Sequence, residues 1–297
     1  DCRVGVRKES QVGEKSVHRE ITIEKTGIDD SPVYEYDGSF DGLLCCLFAV
    51  FSYKEFPAEV VRAYHGFLPC RRIASNDEQA ARVQRGIVAK MGQEALRYGE
   101  RAYLSEREGI EKFILAYWKL GFSVGVSLYR RAADECVAQV HGAAKYTMNE
   151  RHRILQFLRF SDSNGVLTSV ISPNANVLPL IAGHFADRFP RERFFIYDSA
   201  RGMGLVYADG KYALLPVSEY AQPAADEEEQ KYRDLFTLFY NTIEIKERHN
   251  ERCRMSHMPK RFWKNMTEFT CSAHNGDCRT ATSHAPLPHT GKIPQRN

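Results

Sequence analysis

Along this chain the spacing of apolar residues changes once. Up to Phe160 they recur every three or four residues, the mark of helices with one buried face. Beyond Asp162-Ser163-Asn164-Gly165 they gather into short runs rich in β-branched residues. That change predicts an α+β fold, a largely helical N-terminal half packed with a small antiparallel sheet and C-terminal basic helices. No long Pro/Gly/Ser linker parts the halves and no internal repeat is seen, so residues 33–269 are read as one domain sharing a core.

In the first half, Pro32 to Tyr36 reads as a short strand, and Ser39 after the turn at Asp37-Gly38 is placed to cap a helix. Phe40, Leu43, Leu44, Leu47, Phe48 and Phe51 then lay an apolar stripe along one helix face. Ile110, Phe113, Ile114 and Tyr117 repeat that spacing, as do Ile154, Phe157 and Leu158.

In the second half, Val166 to Ile171 is a strand. Asn176 is then expected to cap a helix that turns Leu178, Ile181, Phe185 and Phe189 inward and His184, Asp187, Arg188 and Arg191 elsewhere. Arg193–Asp198, Met203–Ala208 and Lys211–Leu215 read as an antiparallel meander, the last pair joined at Asp209-Gly210. A capping box at Asp226 and Glu229 opens a helix in which Tyr232, Leu235, Phe236, Phe239 and Ile243 lead into a basic segment.

That segment, 246–264, holds seven Lys or Arg against Glu247 and Glu251, while the whole chain carries only +3. Lysine and arginine at this density neutralise phosphates and release counterions, and Trp263 among them offers a ring on which a base can stack. The nucleic-acid-binding candidates are therefore Lys246, Arg248, Arg254, Lys260, Arg261, Trp263 and Lys264. Arg151, Arg153 and Arg159 around His152 would extend the surface if their helix packs beside it. The bland alternative is a solvated helix face.

The longest apolar run, Leu43 to Phe51, is nine residues, against about 20 for a membrane helix. The first thirty residues lack the apolar stretch of a secretory signal, so a cytoplasmic protein with no membrane partner is expected. Eight cysteines are too few for a disulfide scaffold in a chain of 297 residues and are read as reduced. Residues 1–32, which open on Asp1, are polar without period and read as an unstructured extension; 270–297 read as a disordered tail.

Three blocks carry a resemblance. Tyr36-Asp37-Gly38-Ser39-Phe40-Asp41-Gly42-Leu43-Leu44, then Val177 to Phe189 followed by Phe195-Ile196-Tyr197-Asp198 and Arg201-Gly202, then Ile245 to Asn250 with His257 to Lys264, occur in this order. Together they resemble a bacterial family of DNA-metabolism proteins catalogued as a domain of unknown function (the 4130 type), over about residues 33–269. The resemblance implies a role in DNA repair or modification. Members are typically encoded beside a radical S-adenosylmethionine protein, and related domains occur fused to uracil-DNA glycosylase-like domains.

The first functional expectation is thus an accessory protein that binds DNA through the basic segment and serves a radical S-adenosylmethionine partner. The second is a hydrolase or lyase acting on DNA bases or nucleotides. His184 and Asp187, one helical turn apart, group with Asp198 and Arg201 at the end of the next strand as a general base, an orienting carboxylate and an anion clamp. The third is a protein-interaction module whose basic end meets an acidic patch. Cys253, His257, Cys271, His274 and Cys278 have spacings tolerable for zinc but no C-x2-C pair, so no metal is assigned. Neither GxxxxGK[ST] nor GxGxxG occurs, and no cofactor is expected.

Overall fold

The computed structural model describes residues 31–270; the expected N-terminal extension and C-terminal tail fall almost wholly outside the described residues, as do Cys271, His274 and Cys278. Strand β1 (Val33–Glu35) leads to helix α1 (Phe40–Tyr53), which starts where Ser39 accepts the Gly42 amide at 2.9 Å. Leu43, Leu44, Leu47, Cys45 and Cys46 are buried, as the stripe requires, but Phe51 at its end is 46% exposed. Burial pushes the Cys46 thiol up to about 12, and Cys45 and Cys46 are both free.

Strands β2 (Val60–Val61) and β3 (Cys70–Arg72) flank β1 in a small all-parallel sheet that the sequence pattern does not predict. Helices α2 (Asp77–Met91), α3 (Gln93–Tyr103), α4 (Ile110–Val124) and α5 (Glu135–Phe157) follow. Their apolar faces meet α1 in a first core cluster around Trp118, which is fully buried and donates from its indole nitrogen to the Ala95 carbonyl at 3.1 Å. Ile110, Ile114 and Tyr117 are buried there as the spacing predicts. A Cβ on Gly99 of α3 would come within 2.1 Å of the Trp118 ring. Gly99→Ala is therefore expected to cost about 1–3 kcal/mol of unfolding free energy, read by urea denaturation, although alanine favours helix.

The second half holds β4 (Ser161–Asp162), β5 (Val166–Ile171), α6 (Leu178–Arg188), β6 (Arg193–Asp198), β7 (Met203–Ala208) and β8 (Lys211–Pro216) in one sheet of order β4-β5-β6-β7-β8. The expected antiparallel meander is present in β6-β7-β8. The sheet as a whole is mixed rather than antiparallel, because α6 carries the chain over so that β5 and β6 run parallel, Val166 beside Arg193 through Ile171 beside Asp198. Asn176 does not cap α6: Val177 occupies that place and no side-chain bond closes the turn.

A second core cluster joins α6 and the sheet to Phe262 and Met266. Helix α5 passes from one cluster to the other, giving Val137, Val140 and Ala143 to the first and Ile154 to the second.

Helix α7 (Glu227–Thr242) is capped by Asp226, which accepts the Glu229 amide at 2.8 Å. It ends before the basic segment and buries none of its residues, so Leu235 and Phe239 are exposed, as is Ile243 just after it. The basic segment is not a continuous helix: it divides into short 3-10 turns at Lys246–Arg248 and Lys260–Asn265 around the seven-residue α8 (Glu251–His257). Helix α9 (Thr267–Thr270) follows. Among the described residues no helix is long and apolar enough to cross a membrane.

Candidate nucleic-acid interface

Two parallel strands that share a crossover open their carboxyl ends on one edge, where ligands of open α/β sheets commonly bind. Here that edge is Ser172-Pro173-Asn174 after β5 and Ser199-Ala200-Arg201 after β6. The Ser172 and Ser199 hydroxyls lie 2.5 Å apart, and Lys264 donates to Ser172 Oγ at 3.1 Å.

Two ion-pair networks hold this edge. Fully buried Asp198 accepts from Arg201 Nη1 at 2.9 Å and from the Ala200 amide at 2.9 Å. Arg201 also donates to the Pro173 carbonyl and reaches across to Glu106, between α3 and α4, with Nη2 at 2.6 Å. Burial raises the Asp198 carboxyl above its ordinary range, and the Arg201 guanidinium only partly opposes it. On the other side Glu150 of α5, 1% exposed, accepts both Nη atoms of Arg261 and the Asn174 amide, the last at 2.9 Å. Burial acts to raise the Glu150 carboxyl, but the Arg261 fork, the Asn174 amide and Arg153 together hold it below the usual range.

Glu150 also places Arg153 Nη1 3.9 Å away, so one carboxylate gathers cations from α5 and from the C-terminal segment. Phe157 packs on Phe262 at 5.2 Å between ring centroids. The second basic cluster thus lies beside the first, an adjacency that sequence alone leaves open. Arg151 turns aside to the Leu180 carbonyl, and Arg159 pairs with buried Glu268 at 2.8 Å.

The candidate binding residues have different fates. Arg248, Lys260 and Lys264 are exposed, as are Arg153 and Arg252; the side chain of Lys246 lies outside the described ones. Arg261 is committed to Glu150 and Arg254 is half-buried, its guanidinium 5.3 Å from the Trp263 centroid. Trp263 stacks on Phe269 at 4.5 Å and donates its indole N–H to the Met258 carbonyl, so one of its faces is already covered. Lys260 Nζ lies 5.6 Å from the same ring.

The candidate catalytic set divides in two. His184 and Asp187 stand on the exposed face of α6, the His184 ring touching Phe185, while Asp198 and Arg201 are bound to each other at the strand ends. Cys253 and His257 are exposed, and among the described residues no group of three or more His, Cys, Asp or Glu is placed to hold a metal ion.

Glu106, Glu150, Ser172, Ser199 and Glu268 belong to this edge and its surroundings without standing out in the sequence. Glu150 alone has a local signal, as the acidic residue opening an otherwise basic turn, Arg151-His152-Arg153.

The fold and this edge define an α+β protein with a mixed five-stranded sheet and a polar, cation-rich strand-end surface. The model of the family described as a domain of unknown function, DUF4130, matches residues 108–268, and the chain belongs to that family. The matched region contains the Val177–Phe189 and His257–Lys264 blocks, whereas Tyr36–Leu44 precedes it. No curated protein and no solved structure matches the chain.

Proposed function

We propose that this chain is a DNA-metabolism accessory protein. It holds nucleic acid on the cationic face formed by the end of α5 and the segment 246–264, and serves a radical S-adenosylmethionine partner that supplies the chemistry. The observation that carries the binding reading is the convergence of Arg153 and Arg261 on Glu150, which sets exposed Arg153 in the same neighbourhood as the 260–264 turn. Cations from two remote stretches of chain gathered on one face are what counterion release exploits. The partner rests on the resemblance of the three sequence blocks.

The structure-held cations refine the reading. Arg261 and Arg254 brace the surface, and Arg153, Arg248, Lys260 and Lys264 face the phosphates. Fluorescence anisotropy with labelled single- and double-stranded oligonucleotides is the test. Affinity is expected to fall steeply as salt rises, and affinity independent of salt overturns the proposal.

A further inference from the structure

Next to the strand-end surface, and sharing Lys264 with it, is a polar cavity of about 170 Å³. Arg159, Arg233 and Lys264 line it together with Ser161, Gln222 and Asn265, and no carboxylate is among its lining residues. Four chain regions build it: the stretch from α5 to β4, strand β5, helix α7 with the loop before it, and the last turn of the basic segment with the residues after it.

The acidic partners hold the guanidinium groups from outside the lining. Arg159 donates from Nη2 to Glu268 at 2.8 Å, and Arg233 donates from Nε to Glu229 at 2.8 Å and from Nη2 to Ser161 Oγ at 2.6 Å. Donors remain. Arg159 Nε is buried with no hydrogen-bond partner, and Arg233 Nη1 has none among the described residues. Lys264 spends one of its three N–H donors on Ser172. The donors left to meet an acceptor arriving in the cavity are those of Arg233 Nη1 and Lys264.

Size and charge select the ligand. Pockets for whole small molecules run from about 300 Å³ upward, so this cavity fits a single group rather than a base with its sugar. Glu268 and Glu229 offset two of the three cations, and the donors that remain suit the three free oxygens of a phosphomonoester better than the two of a backbone diester. We propose that the cavity is a phosphomonoester site that takes the terminal phosphate of a nucleic-acid strand. The strand as source rests on the nucleic-acid reading above; the phosphate chemistry does not.

Isothermal titration calorimetry on the full chain separates the two. The titrants are inorganic phosphate, thymidine monophosphate, and one oligonucleotide with 5′-phosphate, 3′-phosphate or hydroxyl ends. A terminal phosphate is expected to tighten binding about tenfold over hydroxyl ends, with inorganic phosphate competing and Arg233→Gln abolishing the preference. Arg233→Lys, which keeps the charge and loses the fork, is expected to retain part of it. Binding of phosphate and the mononucleotide without any oligonucleotide binding supports the site and overturns the strand as its source. Oligonucleotides that bind equally with and without a terminal phosphate overturn the site and leave the nucleic-acid reading standing.

Discussion

Arg261→Met is expected to remove about 3 kcal/mol of unfolding free energy at neutral pH, because it leaves the Glu150 carboxylate buried without its main partner. The low end of the range for broken buried pairs applies: the Arg261 side chain is 29% exposed and the Asn174 amide still bonds Glu150. The pH dependence gives the mechanism away. A carboxyl whose folded value lies below its ordinary 4.5 contributes stability above that value and loses it as pH falls through the folded one. The deficit of the variant should therefore shrink as pH falls through the folded value of the wild type, below which Glu150 is protonated in both proteins. Urea denaturation at neutral and acid pH measures this, and a deficit constant with pH would mean that Arg261 acts through packing on Phe262, 4.3 Å away, instead.

Trp118→Ala should cost about 3–5 kcal/mol, the range for deleting a large aromatic from a well-packed core. Trp118 sits in α4, inside the family-matched region, but its neighbours lie before it: Phe40 at 6.1 Å edge-on, the Ala95 carbonyl, and the Gly99 backbone that leaves room for the indole. Residues 33–107 thus supply part of the core of the matched region. Thermal melting reads the effect. A loss under about 1 kcal/mol would contradict that dependence, because only a surface site loses so little.

Helices with one strongly apolar face are legible because burial imposes a 3.6-residue period, and α1, α4 and the end of α5 follow it. Helix α7 carries the same period but buries none of its residues, so its pattern correctly signals a helix and wrongly suggests one that continues into the basic segment. Strands β2 and β3, two and three residues long, are too short for any periodicity to register. The parallel pairing of β5 and β6 has a signal in the helix between them, since hairpins need only a few residues and parallel neighbours need a crossover.

The site is legible in its local parts. Asp198 and Arg201, three residues apart at a strand end, are grouped by sequence and bonded in the fold. The partners that give the edge its character are remote: Glu106 lies 95 residues from Arg201, and Glu150 lies 111 from Arg261. No local pattern tells which arginine of a basic run will meet a buried carboxylate. Charge counting accordingly treats Arg261 and Lys264 alike, where the fold holds the first against Glu150 and leaves the second exposed.

Whether nucleic acid lies on the face built by α5 and the 260–264 turn is decided by the salt dependence of binding in the wild type and in Arg153→Gln/Lys260→Gln/Lys264→Gln. Each phosphate that the protein no longer neutralises lowers the slope of log affinity against log salt by about 0.7–0.9, so a reduction of about 2 units is expected. Equal slopes in the two proteins would contradict the assignment of this face.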